Sequence, residues 1–260
     1  MNKKTVFIVA ILIFLSTSLL RGQTVEKLKF EAYTQNDYTK WIKAINLIEK
    51  KYDLSKAEDV EELIHCYYAL ASARIAKKRK DEAADAINKG EKLVDALLKK
   101  EPNNALALAY KADFLGYEIA MNKMKAISLG KNYTNYINKA YQLAPNDTQV
   151  LFDKANSLYY TPKMFGGSKK EALVYIQKAI NILEKQKRTQ NNWVYLQLLV
   201  LEGHSYELLG KDVSAEKSYL KILKIAPDFS LVKNDLYPKL KKRMNGDTSE
   251  KAKETDYSLK

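Results

Sequence analysis

The sequence has few residues of the types that build disulfide-linked, metal-bound or turn-rich proteins. Its 260 residues include one cysteine, two histidines, five prolines and nine glycines. The single cysteine, Cys66, can form no disulfide within the chain. An all-β fold uses glycine and proline at its frequent turns, so their scarcity disfavours that class and favours long helices.

Local catalytic motifs are also missing from the sequence. It has no G-x-S-x-G, H-E-x-x-H or glycine-rich dinucleotide pattern, the local signatures of a nucleophile, a zinc site and a nucleotide site. His65 and His204 are far apart, and the adjacent His65 and Cys66 point to different faces of a helix. We therefore predict a non-enzymatic protein with no catalytic residues, no metal and no cofactor.

The N-terminus has the pattern of an export signal. Lys3 and Lys4 precede an uncharged, mostly apolar run at 6–20. This run suits the core of a signal peptide and is shorter than the roughly 20 residues that span a membrane. The sequence predicts a signal peptide at 1–22, cleavage before Gln23 and a periplasmic protein; the alternative is a retained inner-membrane anchor. A lipid anchor is excluded because Cys66 is far from any cleavage site.

Basic residues outnumber acidic ones. The chain has 44 Lys and Arg against 31 Asp and Glu, a formal net charge of +13. Lys3, Lys4 and Arg21 lie in the predicted signal, which has no acid, so the mature chain keeps 13 − 3 = +10. This charge favours an acidic protein or peptide partner, or peripheral contact with an anionic membrane. We expect no nucleic-acid partner, because the chain is predicted to be exported and has no nucleic-acid motif.

Three similar phrases divide the chain: KKEPNNALALAYKAD, YQLAPNDTQVLFDKAN and LKIAPDFSLVKNDL. In each, a helical pattern stops at a proline, and polar residues that can cap the next helix follow. Pro102 and Pro145 are 43 residues apart, and Pro227 follows after 82, close to two units. The spacing predicts an all-α array of about five helical hairpins within 23–242, followed by a polar flexible tail at 243–260.

The last unit carries a recognisable pattern of small and aromatic residues. Gly203 and Ala215 allow two helices to approach closely, Tyr206 and Tyr219 fill the space beside that contact, and Pro227 closes the unit. These positions resemble the tetratricopeptide repeat, which implies a solenoid of stacked hairpins that binds other proteins.

Weaker copies of this unit recur along the chain. Their small anchor residues, Ala71, Ala112 and Ala155, lead to Gly203 at intervals of 41, 43 and 48 residues. The intervals exceed the repeat's usual length of about 34. Longer helices and turns are therefore expected.

The stretch TPKMFGGSKKEA at 161–172 interrupts the fourth hairpin. The step from Ala155 to Ala172 is 17 residues, five more than the 12 from Gly203 to Ala215. Ser168, with Glu171 three residues later, predicts a capping box. Met164 and Phe165 are expected to pack back on that cap.

The same stretch raises a question of ligand contact. A phosphate loop is excluded by the spacing of its glycines. Phe165, Lys169 and Lys170 are candidate contact residues beside a helix N-terminus, with a plain structural turn as the alternative. The Gly-Gly turn also resembles that of the T-component proteins associated with TRAP transporters. That resemblance implies a periplasmic accessory of ligand uptake with a small apolar ligand among its helices.

In tetratricopeptide repeats the first helix of each hairpin lines the concave face. Transferring those positions predicts a surface of amide, aromatic and apolar groups that suits a peptide. Its residues are His65, Tyr68, Ser72, Gln149, Phe152, Asn156, Tyr159, Gln197, Val200, His204 and Glu207. The leading hypothesis is a periplasmic protein that binds a protein or peptide partner on this face; the alternative is the small-ligand accessory of a transport system.

Overall fold

The computed structural model describes residues 24–246. The predicted signal peptide at 1–22, and the predicted tail beyond residue 246, lie outside the described residues. The start of that tail is helical, because the last helix continues to Met244.

Eleven helices follow one another along the described chain, and no strand occurs between residues 24 and 246. The first, α1, is helical over residues 24–34. The others are α2 Tyr38–Lys51, α3 Ala57–Ala76, α4 Lys80–Lys100, α5 Ala105–Met121, α6 Ala126–Leu143, α7 Thr148–Tyr160, α8 Lys169–Lys185, α9 Trp193–Leu208, α10 Asp212–Ile225 and α11 Tyr237–Met244. A short π-helical segment, Val232–Leu236, leads into α11.

The helices pair as successive antiparallel hairpins. Helices α3 and α4, α5 and α6, α7 and α8, and α9 and α10 pack along their lengths, and the pair α1 and α2 precedes them. Helix α11 packs on α10 and ends the array. The predicted all-α array of helical hairpins is confirmed, and the described residues form five of them.

Proline and capping residues separate the hairpins as the sequence predicts. Pro102, Pro145 and Pro227 lie in the connections between hairpins. The side chains of Asn104 and Asp147 then accept hydrogen bonds from the first backbone N–H groups of α5 and α7. Each connection therefore stops one helix and starts the next.

Small residues set the spacing within each hairpin. The anchors Ala71, Ala83, Ala155 and Ala172 are fully buried. At Gly203 an added Cβ atom would lie 2.5 Å from the ring of Tyr219. Helices α9 and α10 approach this closely only because residue 203 has no side chain.

The odd-numbered helices form an inner layer and the even-numbered helices an outer layer. Helix α5 contacts α3 and α7, and α7 also contacts α9, whereas α4, α6 and α8 each join one inner helix to the next. Helix α9 is buried on nearly all sides, while α6 buries only Ile137 and Ala140. A helix that is apolar all round belongs in the interior.

The array curves until its first hairpin meets its last. The ring of Tyr33 in α1 lies 5.7 Å from that of Trp193 in α9 and 5.0 Å from that of Phe229. Trp41 of α2 packs edge-on against Trp193 at 4.9 Å. The inner face is therefore closed by aromatic side chains.

None of the helices between residues 24 and 246 combines the length and the apolar character needed to cross a membrane.

Candidate functional site

Five aromatic rings fill the inner face where the first, second and fifth hairpins meet. We call them the inner aromatic cluster: Tyr33, Trp41, His65, Trp193 and Phe229. Trp193 is its centre because it contacts three of the others. Aromatic pairs at these distances add stability beyond their buried area.

His65, a predicted contact residue, belongs to this cluster. Its ring lies 4.9 Å from Trp193 and 5.8 Å from Tyr110. Burial, and then the charge of Lys29, lower the pKa of His65 well below its usual value. The imidazole is therefore neutral, and its Nε2 has no hydrogen-bond partner in the structure.

Tyr68 and Ser72 lie one and two turns further along α3. Tyr68 is buried and stacks on Tyr117 of α5, with ring centroids 5.2 Å apart. The Tyr117 hydroxyl is hydrogen-bonded with both Tyr68 and Ser72. These two predicted contact residues therefore join the second hairpin to the third.

Gln149 is hydrogen-bonded to one member of a buried pair of carboxyl groups. This pair could not be recognised from the sequence alone. Its Nε2 donates to Asp153 Oδ1 at 2.7 Å. Asp153 faces Asp113 of α5 closely enough for a hydrogen bond between them. Burial raises the pKa of Asp113 to about 8, and burial together with Asp113 raises that of Asp153 well above its usual value. We call Asp113 and Asp153 the buried aspartate pair.

Four further predicted residues surround a small crevice in the inner face. Phe152, Asn156, Gln197 and Val200 line it together with Tyr33, Tyr160, Leu201 and His204. Its volume is about 20 Å³, which is room for one water molecule. A crevice of this size has no room for a peptide or a small apolar ligand.

Tyr159, His204 and Glu207 are held by contacts within the fold. The Tyr159 hydroxyl is hydrogen-bonded to Nδ1 of His204 across the α7–α9 contact. Glu207 is buried, receives a hydrogen bond from the Tyr219 hydroxyl, and accepts from Arg243 Nη2 of α11 at 2.7 Å. Whether any of the predicted inner-face residues contacts a partner stays a prediction.

The turn at 161–168 projects away from the array. Lys163–Phe165 form one 3-10 turn, and the side chains of Met164 and Phe165 are 82% and 70% exposed. The expectation that these two pack on the helix cap is therefore wrong. The backbone of Gly167 comes so close to Thr161 O that an added Cβ would lie 1.7 Å from it, so this position of the turn requires glycine.

The predicted capping box forms only in part. Ser168 Oγ accepts from the backbone N–H of Glu171 at 3.2 Å. The backbone N–H of Ser168 donates to Leu158 O at 2.8 Å. It therefore does not require the Glu171 side chain as its acceptor, the second bond of a capping box. Lys169 stands over the ring of Tyr159 at 5.1 Å, and Lys170 is exposed.

An open cavity lies on the outer face, along α8. We call it the outer groove; it has a volume of about 670 Å³. Its walls are Asn146, Val174, Gln177, Lys178, Asn181, Ile182, Lys185 and Gln186. This surface was not predicted from the sequence. Its signal was present as the polar positions 177, 178, 181 and 185 at helical spacing, which resemble an ordinary solvated helix face.

Within residues 24–246, no group of three or more His, Cys, Asp or Glu side chains is arranged so that it could bind a metal ion.

Comparisons with known proteins bear on the fold. No protein-family model matches the chain, and no curated protein matches it. A solved structure of a tetratricopeptide-repeat protein from Thermus thermophilus is similar, with a TM-score of 0.51 and 14% identity over 86% of this chain and 96% of the other. At this identity the likeness shows the fold alone, which is an all-α repeat solenoid of the tetratricopeptide type.

Proposed function

We propose that this chain is a non-enzymatic periplasmic scaffold that binds a protein or peptide partner with acidic groups. The observation that carries the proposal is the outer groove, an open cavity of about 670 Å³ on a basic repeat array. Tetratricopeptide-like arrays expose long continuous surfaces of this kind, and such surfaces suit extended chains.

The groove offers the chemistry that an extended acidic peptide needs. The amides of Asn146, Asn181 and Gln186 can each donate to and accept from a peptide backbone. Lys185 is exposed beside them and provides a positive charge. Its polar rim and partly buried Ile182 are typical of peptide-binding surfaces.

Binding on the inner face requires a larger change. Tyr33 and Trp193 are in contact, and the crevice lined by Asn156 and Gln197 has a volume of only about 20 Å³, so we expect a peptide to bind there only if the first hairpin moves away from the fifth. The inner face therefore stays the second candidate for the same function. A small apolar ligand, as in a TRAP-type accessory, would need similar opening, because the crevice of about 20 Å³ has no room for it.

Site-specific photocrosslinking separates the two faces. A photoreactive amino acid replaces Val174 in the outer groove in one variant and Asn156 in the inner crevice in another. We expect crosslinks to a partner from position 174 in intact cells, and their loss when Asn181 and Lys185 are both changed to alanine. Crosslinks from position 156 alone would instead assign binding to the inner face, and none from either would contradict the proposal.

Export has a separate test. Protein recovered from the periplasm of a Gram-negative host should begin near Gln23 when its N-terminus is sequenced. Recovery of the chain with Met1 in the inner membrane would contradict cleavage and favour the anchor.

A further inference from the structure

The most exposed large hydrophobic side chains of residues 24–246 are concentrated in two turns. Met124 and Ile127, at the α5–α6 turn, are 73% and 84% exposed. Met164 and Phe165, at the α7–α8 turn, are 82% and 70% exposed. We call these four residues the apolar turn tips. Single exposed apolar residues are ordinary, whereas a group of them marks an interaction surface.

The two turns lie at the same end of the array. Helices α6 and α7 are antiparallel, and Lys154 Nζ donates to Asn138 Oδ1 at 2.7 Å. Tyr133 is hydrogen-bonded with Ser157. From that second contact Ile127 lies six residues back along α6, about 9 Å at 1.5 Å per residue, and α7 continues for three residues to Tyr160 before the turn at 161–168. Ile127 is therefore level with the 3-10 turn that carries Met164 and Phe165.

Positive charge surrounds the tips. Lys123, Lys163 and Lys170 are exposed beside them. The turn of the neighbouring second hairpin, KKRK at 77–80, is exposed at this end too. Acidic groups occur here too: Glu118 is paired with Lys125 at 2.7 Å, Glu82 is paired with Arg79, and Asp81 and Glu171 are exposed at the starts of α4 and α8. The basic residues of these turns outnumber these acids.

We propose that this end of the array docks on an anionic lipid membrane through the apolar turn tips and their lysines. The tips are largely exposed side chains, so a partner must surround them to bury them. A lipid interface does so, since apolar side chains enter the boundary of headgroups and acyl chains while lysines stay among anionic headgroups. A rigid acidic protein would need pockets of matching shape. The inference is independent of the proposed peptide binding, because the outer groove uses other residues.

The test measures whether one position enters the lipid and not whether the chain binds, because the apolar run at 6–20 could by itself attach the full chain to vesicles. Phe165→Trp places a fluorophore at the tips, and Leu143→Trp, 44% exposed at the opposite end of α6, is its matched control. The native Trp41 and Trp193 are buried and give a constant background. With vesicles of 30% phosphatidylglycerol in brominated phosphatidylcholine, we expect quenching and a blue shift for Phe165→Trp and neither for Leu143→Trp.

Charge variants test the second half of the proposal. Added to Phe165→Trp, the pair Lys163→Ala and Lys170→Ala should shift the equilibrium between immersed and free tips about tenfold towards the free state at low salt, which is measured as lost quenching at position 165. The difference should vanish at high salt because exposed charges are screened. Circular dichroism checks that each variant is folded. Equal quenching at positions 165 and 143, or binding to soluble polyglutamate without quenching at position 165 by vesicles, would overturn the proposal. The second result would favour an acidic protein at this surface.

Discussion

At the scale of single residues, the buried aspartate pair is the least expected feature of the inner layer. Asp113 and Asp153 face each other, with Tyr68, Tyr110 and Tyr117 as buried neighbours. Two like charges cannot both persist at such a place, so the pair holds a proton. Their pKa values are raised above the roughly 3.9 of an unfolded aspartate, and the native state binds more protons than the unfolded chain between pH 4 and 8.

This difference in protonation predicts how stability depends on pH. The pair contributes its full stability below about pH 4 and loses it as the pH rises towards 8, where Asp113 ionises. Asp153→Asn removes one ionisation and keeps the acceptor for Gln149. We expect it to raise the free energy of unfolding at pH 8 by about 1–2 kcal/mol and to flatten the pH dependence in denaturant titrations. The exposed Asp85→Asn is the control; equal effects of the two substitutions would refute this account.

Gly203 gives a second prediction at this scale. Gly203→Leu places a branched side chain where the Tyr219 ring already lies 2.5 Å from an added Cβ. Overpacking of this kind costs about 1–3 kcal/mol or more, which thermal unfolding measures. The matched control is Gly130→Ala in α6, where nothing lies within 4 Å of the added Cβ and helix propensity favours alanine. If both variants unfold at the same temperature as the wild type, α9 and α10 have room for a side chain at residue 203, and this account is wrong.

At the scale of elements, charged side chains hold the last helix, α11, against α9 and α10. Arg243 donates to Glu207 of α9 at 2.7 Å and to Asp212 of α10 at 2.9 Å. Glu207 is almost wholly buried, and its other bond is to Tyr219. Without Arg243 the negative charge of Glu207 would have no positive partner in this interface, and a buried charge without a partner is costly.

Removal of Arg243 should therefore loosen the last helix. We expect Arg243→Ala to lower the free energy of unfolding by about 2 kcal/mol, and Lys242→Ala, one residue earlier and exposed, to change it by less than about 0.5 kcal/mol. A double-mutant cycle with Glu207→Gln measures the coupling in urea denaturation. A coupling near zero would mean that apolar packing alone holds α11.

The helical hairpins could be predicted from the sequence because their signals are local. Alanine at 71, 83, 155 and 172 marks close helix contacts, and each is fully buried. Prolines 102, 145 and 227 mark connections for an equally local reason, the lack of a backbone donor. The turn at 161–168 was placed correctly, but the exposure of Met164 and Phe165 was not predicted, since the direction of a side chain depends on the three-dimensional path of the turn.

At the scale of the whole molecule, the sequence could not predict that the array closes. Tyr33 and Trp193 are 160 residues apart and meet only because small rotations between successive hairpins add up. Neither residue belongs to the repeat pattern. The same reason hides the pairing of Asp113 with Asp153, which depends on how the third and fourth hairpins stack. The positions of the inner-face residues in the repeat predicted an exposed surface. In the structure the array is curved, and most of these residues are buried against one another.

The contact between the first and fifth hairpins leads to a prediction that would not apply to an open solenoid. In an open array each hairpin is stabilised by its neighbours alone. Here Trp193→Ala would remove contacts to Tyr33, Trp41 and His65 together. We expect a loss of about 3–5 kcal/mol and faster amide hydrogen exchange in α1 and α2, more than 140 residues away in sequence.

The reciprocal variant separates closure from simple damage to α9. Tyr33→Ala lies in α1, yet it should accelerate hydrogen exchange at the start of α9 and around Phe229, which its ring contacts. Leu220→Ala, at an exposed position of α10, serves as the control and should leave exchange in α1 unchanged. Exchange that rises only in the mutated hairpin and its sequence neighbours, in both Trp193→Ala and Tyr33→Ala, would show that the ends of the array are not coupled. Matching increases at both ends would mean that opening the inner face requires the two ends to part together, so any partner that binds there must supply the energy of that separation.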